Sequence, residues 1–194
     1  MKFFFHFSVL WLINTLLWAS TPSKYLSLCS SCHGENGIAI QKNWPNLNGQ
    51  SANYIIKQLQ DYQSGRRIHP LMQTYARLLS EQDMQELAQF YAKLPSQTSF
   101  KKAIVPIYQR GNHQKKIPAC IACHGPQGNG NDDAKFPKLI GQNKQYLKQQ
   151  LFAFKKHLRE NDPYHMMQDI SQRMSKKDIH EMINCLGGEF EAKH

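Results

Sequence analysis

A chain of 194 residues with 41% hydrophobic and 20% charged side chains is composed like a globular protein, which excludes an intrinsically disordered chain. Its formal net charge of +10 arises from scattered lysines and arginines. That scatter argues against a nucleic-acid partner and leaves anionic lipid or an acidic protein face as what a basic surface would meet.

The chain opens with Met1-Lys2 and an apolar run reaching Trp18, which reads as a secretory signal peptide over residues 1–19 with cleavage after Ala19. Leu17 is larger than the small residue usual at that place, so an uncleaved N-terminal anchor is the alternative. Nothing later in the chain is long and apolar enough to span a membrane, and a periplasmic location is expected. Export normally goes with disulfides. Yet four of the five cysteines fall in two close pairs, Cys29/Cys32 and Cys120/Cys123, and each pair is followed at once by a histidine, His33 or His124.

The remainder reads as two copies of one unit, residues 20–97 and 98–194. Cys29-Ser30-Ser31-Cys32-His33-Gly34 recurs as Cys120-Ile121-Ala122-Cys123-His124-Gly125. Trp44-Pro45-Asn46-Leu47-Asn48-Gly49-Gln50 recurs as Phe136-Pro137-Lys138-Leu139-Ile140-Gly141-Gln142, and a tyrosine follows each at Tyr54 and Tyr146. Ser80-Glu81-Gln82-Asp83 matches Ser175-Lys176-Lys177-Asp178. Repetition in one order with small drifts in spacing marks a tandem duplication. Units of this size have small cores, so a cross-link or an enclosed cofactor is expected in each.

In the first copy a short helix is expected before Cys29, over residues 23 to 29. A second follows the N-cap Ser51, with Ile55, Leu59 and Tyr62 on one face. The last opens at the capping box Ser80–Asp83 and buries Met84, Leu87, Ala88 and Tyr91. Pro95 to Ser99 form the linker. The second copy begins with a short helix within residues 104–110, Pro106 near its start. Asn143 is the expected N-cap of a helix burying Leu147, Leu151 and Phe154. The capping box Ser175–Asp178 opens the last helix, with Ile179, Met182, Ile183 and Leu186 inside. No segment alternates like a strand, so the fold class is all-α.

Two cysteines three apart stand on neighbouring positions of a helical turn, so both sulfurs reach the vinyl groups along one haem edge. The next histidine is then carried under the iron as proximal ligand. A zinc site would need four ligands that converge, whereas these pairs lie in separate copies. Covalent haem at Cys29 and Cys32, and again at Cys120 and Cys123, follows, with His33 and His124 as axial ligands. The sixth ligand separates electron transfer from catalysis, because methionine fills the iron and an empty position permits small-molecule chemistry. Aligned through the capping boxes, Met84, Met166, Met174 and Met182 each face another apolar residue, as core fillers do. Met72 and Met167 alone face each other and are the expected ligands. His69, His113, His157, His165 and His180 have no histidine counterpart and read as surface residues.

Pro45 and Pro137 are placed either to offer a carbonyl to the ligand histidine's ring N–H or simply to turn the chain before a helix. Gln50, Gln142, Tyr54 and Tyr146 are candidates for haem propionates, with capping or surface roles as the alternative. Cys185 aligns with Phe90 and reads as a buried apolar side chain.

These doubled elements, together with Ile117-Pro118-Ala119-Cys120 before the second pair, resemble the dihaem cytochrome c4 family over nearly all of the mature chain. The resemblance implies two tandem class I cytochrome c domains in pseudo-twofold packing, each wrapped around one haem c, with both irons six-coordinate. It also implies a periplasmic one-electron carrier in a respiratory chain, loosely associated with the membrane and able to feed a terminal oxidase of the haem-copper type, with redox proteins rather than a small-molecule substrate as partners. The alternatives are the dihaem electron-accepting subunit of a redox enzyme such as a sulfide-oxidising flavocytochrome, and a peroxidase, against which the paired methionines argue. The stretch before Cys29 is shorter, and the net charge higher, than the family leads one to expect.

Overall fold

The computed structural model describes residues 24–96 and 104–188, so the signal-peptide reading and most of the linker lie outside the described residues. Within them the regular structure is helical, with isolated bridges in place of strands. In the first copy the helices are α1 (Leu26–His33), α2 (Ala52–Gln63), α3 (Pro70–Ala76) and α4 (Glu81–Lys93). In the second they are α5 (Pro106–Arg110), α6 (Ile121–His124), α7 (Lys144–Lys155), α8 (Met166–Arg173) and α9 (Lys176–Leu186). None of the described helices is long and apolar enough to cross a membrane.

The stripes read from periodicity are the cores. Met84, Leu87, Ala88 and Tyr91 of α4 pack with Ala52 and Ile55 of α2. Ile179, Met182, Ile183 and Leu186 of α9 pack with Leu147 of α7 and with Ile107 and Tyr108 of α5. Cys185 is buried on α9, as its alignment with Phe90 suggests. Both capping boxes form, the Ser80 and Ser175 hydroxyls accepting from the Asp83 and Asp178 amides while the aspartates reach back. Ser80→Ala or Ser175→Ala is expected to cost about 1 kcal/mol, measured by denaturant unfolding.

Asp178 also takes Lys115 at 2.5 Å. Burial pushes its carboxyl up, but the bonds from Lys115 and Ser175 outweigh that and hold it below the usual carboxylate range. The folded pKa is thus depressed, so this stabilisation is full above the unfolded carboxylate pKa of roughly 3.9 and is lost as pH falls through the folded value. Unfolding free energy should drop on acidification below about pH 4, and Asp178→Asn should flatten that drop; an unaltered profile in the variant would contradict the assignment.

Two local expectations are corrected. The first helix begins at Leu26 and runs on through the motif to His33, because both cysteines belong to its last turns. It stops at Gly34, whose φ of 75° suits glycine and where a Cβ would collide with the Ile38 carbonyl. Asn143 does precede α7, but its side chain makes no cap bond. Its amide instead donates to the Trp44 carbonyl at 2.7 Å and to Asn46 Oδ1 at 3.2 Å, in the other copy.

That choice belongs to an interface with reciprocal contacts. Gln50 Oε1 accepts from the Lys138 amide at 2.8 Å and Gln50 Nε2 donates to the Lys138 carbonyl at 3.0 Å. Gln142 does the same to Asn46, at 2.7 and 2.9 Å. Since Gln50 aligns with Gln142 and Asn46 with Lys138, one contact appears twice about a pseudo-twofold axis. Both glutamines are buried. Their amides are engaged by backbone across the interface, and each oxygen also accepts from the next backbone amide, Ser51 or Asn143, at the start of the following helix, so the alternative of a surface role is corrected. Gln50→Ala and Gln142→Ala should each weaken the packing of the copies by ~1 kcal/mol or more, because buried backbone groups lose their partners. Limited proteolysis of the linker would report the loosening.

Candidate functional site

Each copy builds its site from one short motif helix, one loop and one methionine segment. At the end of α1, Cys29 and Cys32 stand half-buried and His33 is 92% shielded from solvent. The His33 ring Nδ1 lies 3.0 Å from the Pro45 carbonyl oxygen. In the second copy His124 Nδ1 lies 2.9 Å from the Pro137 carbonyl. A carbonyl can only accept, so each Nδ1 carries the proton and each Nε2 presents its lone pair to the interior. Of the two readings of Pro45 and Pro137, the geometry supports orientation of the ring. Burial pushes both imidazoles well below the usual histidine range, which keeps them neutral.

The four motif thiols form no disulfide. Burial, then the neighbouring Cys32, pushes Cys29 up to about 11, and burial likewise pushes Cys120 to about 11. A dithiol that exchanges disulfides needs the opposite, a depressed thiol pKa. Among the described residues no cluster of histidine, cysteine and carboxylate side chains converges as a small-ion site would. Dithiol exchange and a zinc staple therefore both fit poorly.

Both motifs open on one cavity of about 640 Å3. Cys29, Cys32, His33 and Met72 line its first half; Cys120, Cys123, His124 and Met167 line its second. The walls between are mainly aliphatic and aromatic, with Leu59 and Tyr62 facing the first half and Leu151 and Phe154 the second. A large, mainly apolar hollow with a histidine lone pair, a thioether and two thiols around each half suits a flat macrocycle bearing a central metal. The residues present fit haem c in both halves.

Burial sorts the methionines much as the repeat does. Met84 lies in the first core, and Met174 and Met182 in the second, all nearly inaccessible. Met72 and Met167 are half-buried at the cavity wall, and so is Met166 beside the latter. His69, His113, His157, His165 and His180 are exposed, as expected of surface residues.

The methionine segments differ in how they are held. α3 starts at Pro70, with the His69 ring accepting from the Met72 amide at 3.4 Å. α8 follows a loop four residues longer, 156–165 against 64–69, in which Tyr164 and His165 adopt left-handed φ of 54° and 56°. Non-glycine residues rarely hold that region. Here Asp162 compensates, accepting from the Met167 amide at 2.8 Å and the Gln168 amide at 3.1 Å at the positive end of the helix.

Sequence reasoning missed a polar layer between the halves. Arg67 and Arg159, both buried, each reach the tyrosine of the other copy: Arg67 to Tyr146 at 3.0 Å and Arg159 to Tyr54 at 2.9 Å. Gln58 and Gln150 accept from the same guanidiniums. The signal was present, since Gln50, Tyr54, Gln58 and Arg67 recur as Gln142, Tyr146, Gln150 and Arg159 at a constant spacing of 92. Three of them form an i, i+4, i+8 polar stripe, which reads as a solvated face until a second copy is laid against it.

Comparison with known proteins agrees with this geometry. The family model for cytochrome c matches the chain twice, over residues 24–95 and 109–186. Cytochrome c4 of Thiocapsa roseopersicina is 37% identical over 172 residues, covering 86% of this chain and 89% of that protein. A protein described as thiosulfate dehydrogenase electron acceptor, from Stutzerimonas stutzeri strain A1501, is 36% identical over 160 residues, covering 78% and 74%. Among solved structures, reduced recombinant cytochrome c4 from Pseudomonas stutzeri superposes with a TM-score of 0.77 at 30% identity, covering 85% of this chain and 95% of that one.

Proposed function

Because the chain belongs to the cytochrome c family, and within it to the dihaem cytochrome c4 proteins, we propose that it is a periplasmic respiratory carrier passing single electrons towards a haem-copper terminal oxidase. It is an electron-transfer protein of two tandem domains. The finer reading places one haem c on Cys29 and Cys32 in a domain of residues 20–97, and another on Cys120 and Cys123 in a domain of residues 98–194. His33 and Met72 would hold the first iron, and His124 and Met167 the second.

Haem c, when bound, supplies an iron that gains or loses one electron. The protein's own contribution is positional. The two thiols of each motif tether one edge, and the histidine ring, fixed by Pro45 or Pro137, offers Nε2 along a set direction. Met72 and Met167 line the same hollow and would offer their thioether sulfurs to the iron, and an iron held by both side chains would leave no place for a substrate. The mainly apolar walls would lower the polarity around a bound haem and so favour its less charged state. The reciprocal glutamine contacts hold the two halves at a fixed separation, which a through-protein electron path requires. The single observation that carries the reading is that each half of the cavity is lined by the same set, two cysteines, one histidine and one methionine.

The basic chain, with most of its lysines in the second copy, suits an acidic docking face or loose attachment to anionic lipid. A second reading, the electron acceptor of a sulfur-oxidising enzyme, is favoured by the relatives described as thiosulfate dehydrogenase electron acceptors. Mixing the reduced protein with oxidase-containing membranes, and the oxidised protein with a thiosulfate-oxidising enzyme, separates the two. Rapid oxidation by the membranes supports the respiratory reading. Reduction by the enzyme, with no oxidation by membranes, overturns it in favour of the second.

A further inference from the structure

Exposed apolar side chains are shared unequally between the two copies. Of the eight large ones standing in solvent among the described residues, six belong to the first copy: Leu28, Ile38, Ile40, Ile68, Leu71 and Leu78. They are not scattered. Leu28, Ile68 and Leu71 line the first half of the cavity at its mouth, with Cys29, Cys32 and Met72. The Ile40 amide donates to the Cys32 carbonyl at 3.1 Å, and the Ile38 carbonyl lies against Gly34, so both isoleucines flank the end of α1. At the start of α1 the Tyr25 hydroxyl donates to the Leu78 carbonyl at 2.9 Å. An apolar collar thus surrounds the helix that carries the first two thiols. Ile40 is 57% and Ile68 76% exposed, a cost in water that contact with a partner relieves.

The duplication supplies an internal control. At the offset of 91 that relates the two motifs, Leu28, Ile38 and Ile40 face Ala119, Asn129 and Asn131. At the offset of 95 that relates the capping boxes, Ile68, Leu71 and Leu78 face Pro163, Met166 and Arg173. Each replacement is smaller, more flexible or polar. Both copies enclose the same kind of hollow, so enclosure of a cofactor does not account for a collar found on one of them. The two exposed apolar residues of the second copy, Leu158 and Tyr164, stand on its longer loop instead.

Charge selects the occupant. The collar residues carry none, and residues 20–97 hold seven basic side chains against five acidic, whereas residues 98–194 hold sixteen against nine. Anionic lipid is drawn to the second copy and so away from the collar. A second copy of this chain would bring a net charge of +10 against an equal one. What suits a nearly uncharged apolar face around the thiol-bearing edge is a redox protein with an apolar face of its own, for which closeness to that edge matters more than charge.

We propose that the collar of Leu28, Ile38, Ile40, Ile68, Leu71 and Leu78 is the docking face for such a redox protein, and that single electrons enter or leave the chain there, through the first domain. The proposal rests on the haem reading above. One electron crosses in each encounter, the partner's redox centre changing by one in the opposite sense, and no bond forms or breaks.

The test is electron exchange between the haem-loaded protein and oxidase-containing membranes. It is followed as oxidation of the reduced protein and, with quinol supplied, as reduction of the oxidised protein. Ile40→Ser with Ile68→Ser should slow at least one direction about tenfold. The wild-type rate in that direction should vary little with ionic strength, because the contact is not ionic. Leu158→Ser, in the second copy, should stay near the wild-type rate. Should the double variant fail to fold, Leu78→Ser reports instead, with a smaller loss. Unchanged rates in both directions, in folded variants that retain two haems, overturn the collar. So does a wild-type dimer in sedimentation that the double variant dissociates, which assigns the face to a second copy. Binding to vesicles of anionic phospholipid that the double variant loses assigns it to lipid and overturns it equally. A wild-type protein with two haems that exchanges with the membranes in neither direction overturns the respiratory reading. The variants are then compared in reduction by a thiosulfate-oxidising enzyme, where equal rates overturn the collar as well.

Discussion

Removal of both thiols of the second motif, Cys120→Ala with Cys123→Ala, is expected to yield a chain carrying one haem in place of two. The expected loss goes beyond the cofactor. Leu147, Met174, Met182, Ile183 and Leu186 of the second core line one half of the large cavity. A domain of this size buries too little apolar surface to spare its central filling, so stability should fall by ~3 kcal/mol or more. Denatured haem counted per chain, together with thermal unfolding followed by helix content, checks both parts. Retention of two covalent haems would remove the cysteines from their assigned role. The matching pair, Cys29→Ala with Cys32→Ala, should spare the second haem, since each copy closes its own motif.

Substitution of the cavity methionines is expected to have the other large effect. Met72→Ala should abolish about half of the weak far-red absorption that a thioether–iron bond gives, and Met167→Ala the other half, each iron supplying an equal share. The affected iron should fall in potential and accept added small ligands that the native protein refuses. Met84→Ala, by contrast, empties part of a packed core, with a cost of about 2–5 kcal/mol in stability and no change in that absorption. The contrast separates a ligand from a filler. A far-red band that survives in both Met72→Ala and Met167→Ala would refute the assignment, and Met166, beside Met167 at the cavity wall, would become the residue to test.

Much of the arrangement was legible in the residues because the chain repeats itself. Periodicity alone located α2, α4, α7 and α9, where apolar stripes of regular spacing leave few alternatives. The capping boxes formed as read, since Ser80 with Asp83 and Ser175 with Asp178 satisfy their own helix ends locally. Less visible were α3 and α8, short helices with no long stripe, one begun by Pro70 and the other by a left-handed turn at Tyr164 and His165. Asn143 misled for a physical reason: a residue that caps well in isolation was recruited by a stronger cross-domain partner. The buried layer of Arg67, Arg159, Gln58 and Gln150 escaped notice because polar stripes on a single copy look solvated. Its members recur at one spacing, and an interface between duplicated units is the setting in which such recurrence acquires a structural meaning.

The proposed function requires two haems, each held closed by this protein. The most direct measurement is a count of covalent haem per chain combined with a redox titration of the far-red and visible bands. Two haems per chain, two one-electron waves, full thioether–iron absorption in the oxidised state and no binding of added small ligands are the expected result. One haem or none, or an iron in the native protein that takes up an added ligand at once, would contradict it.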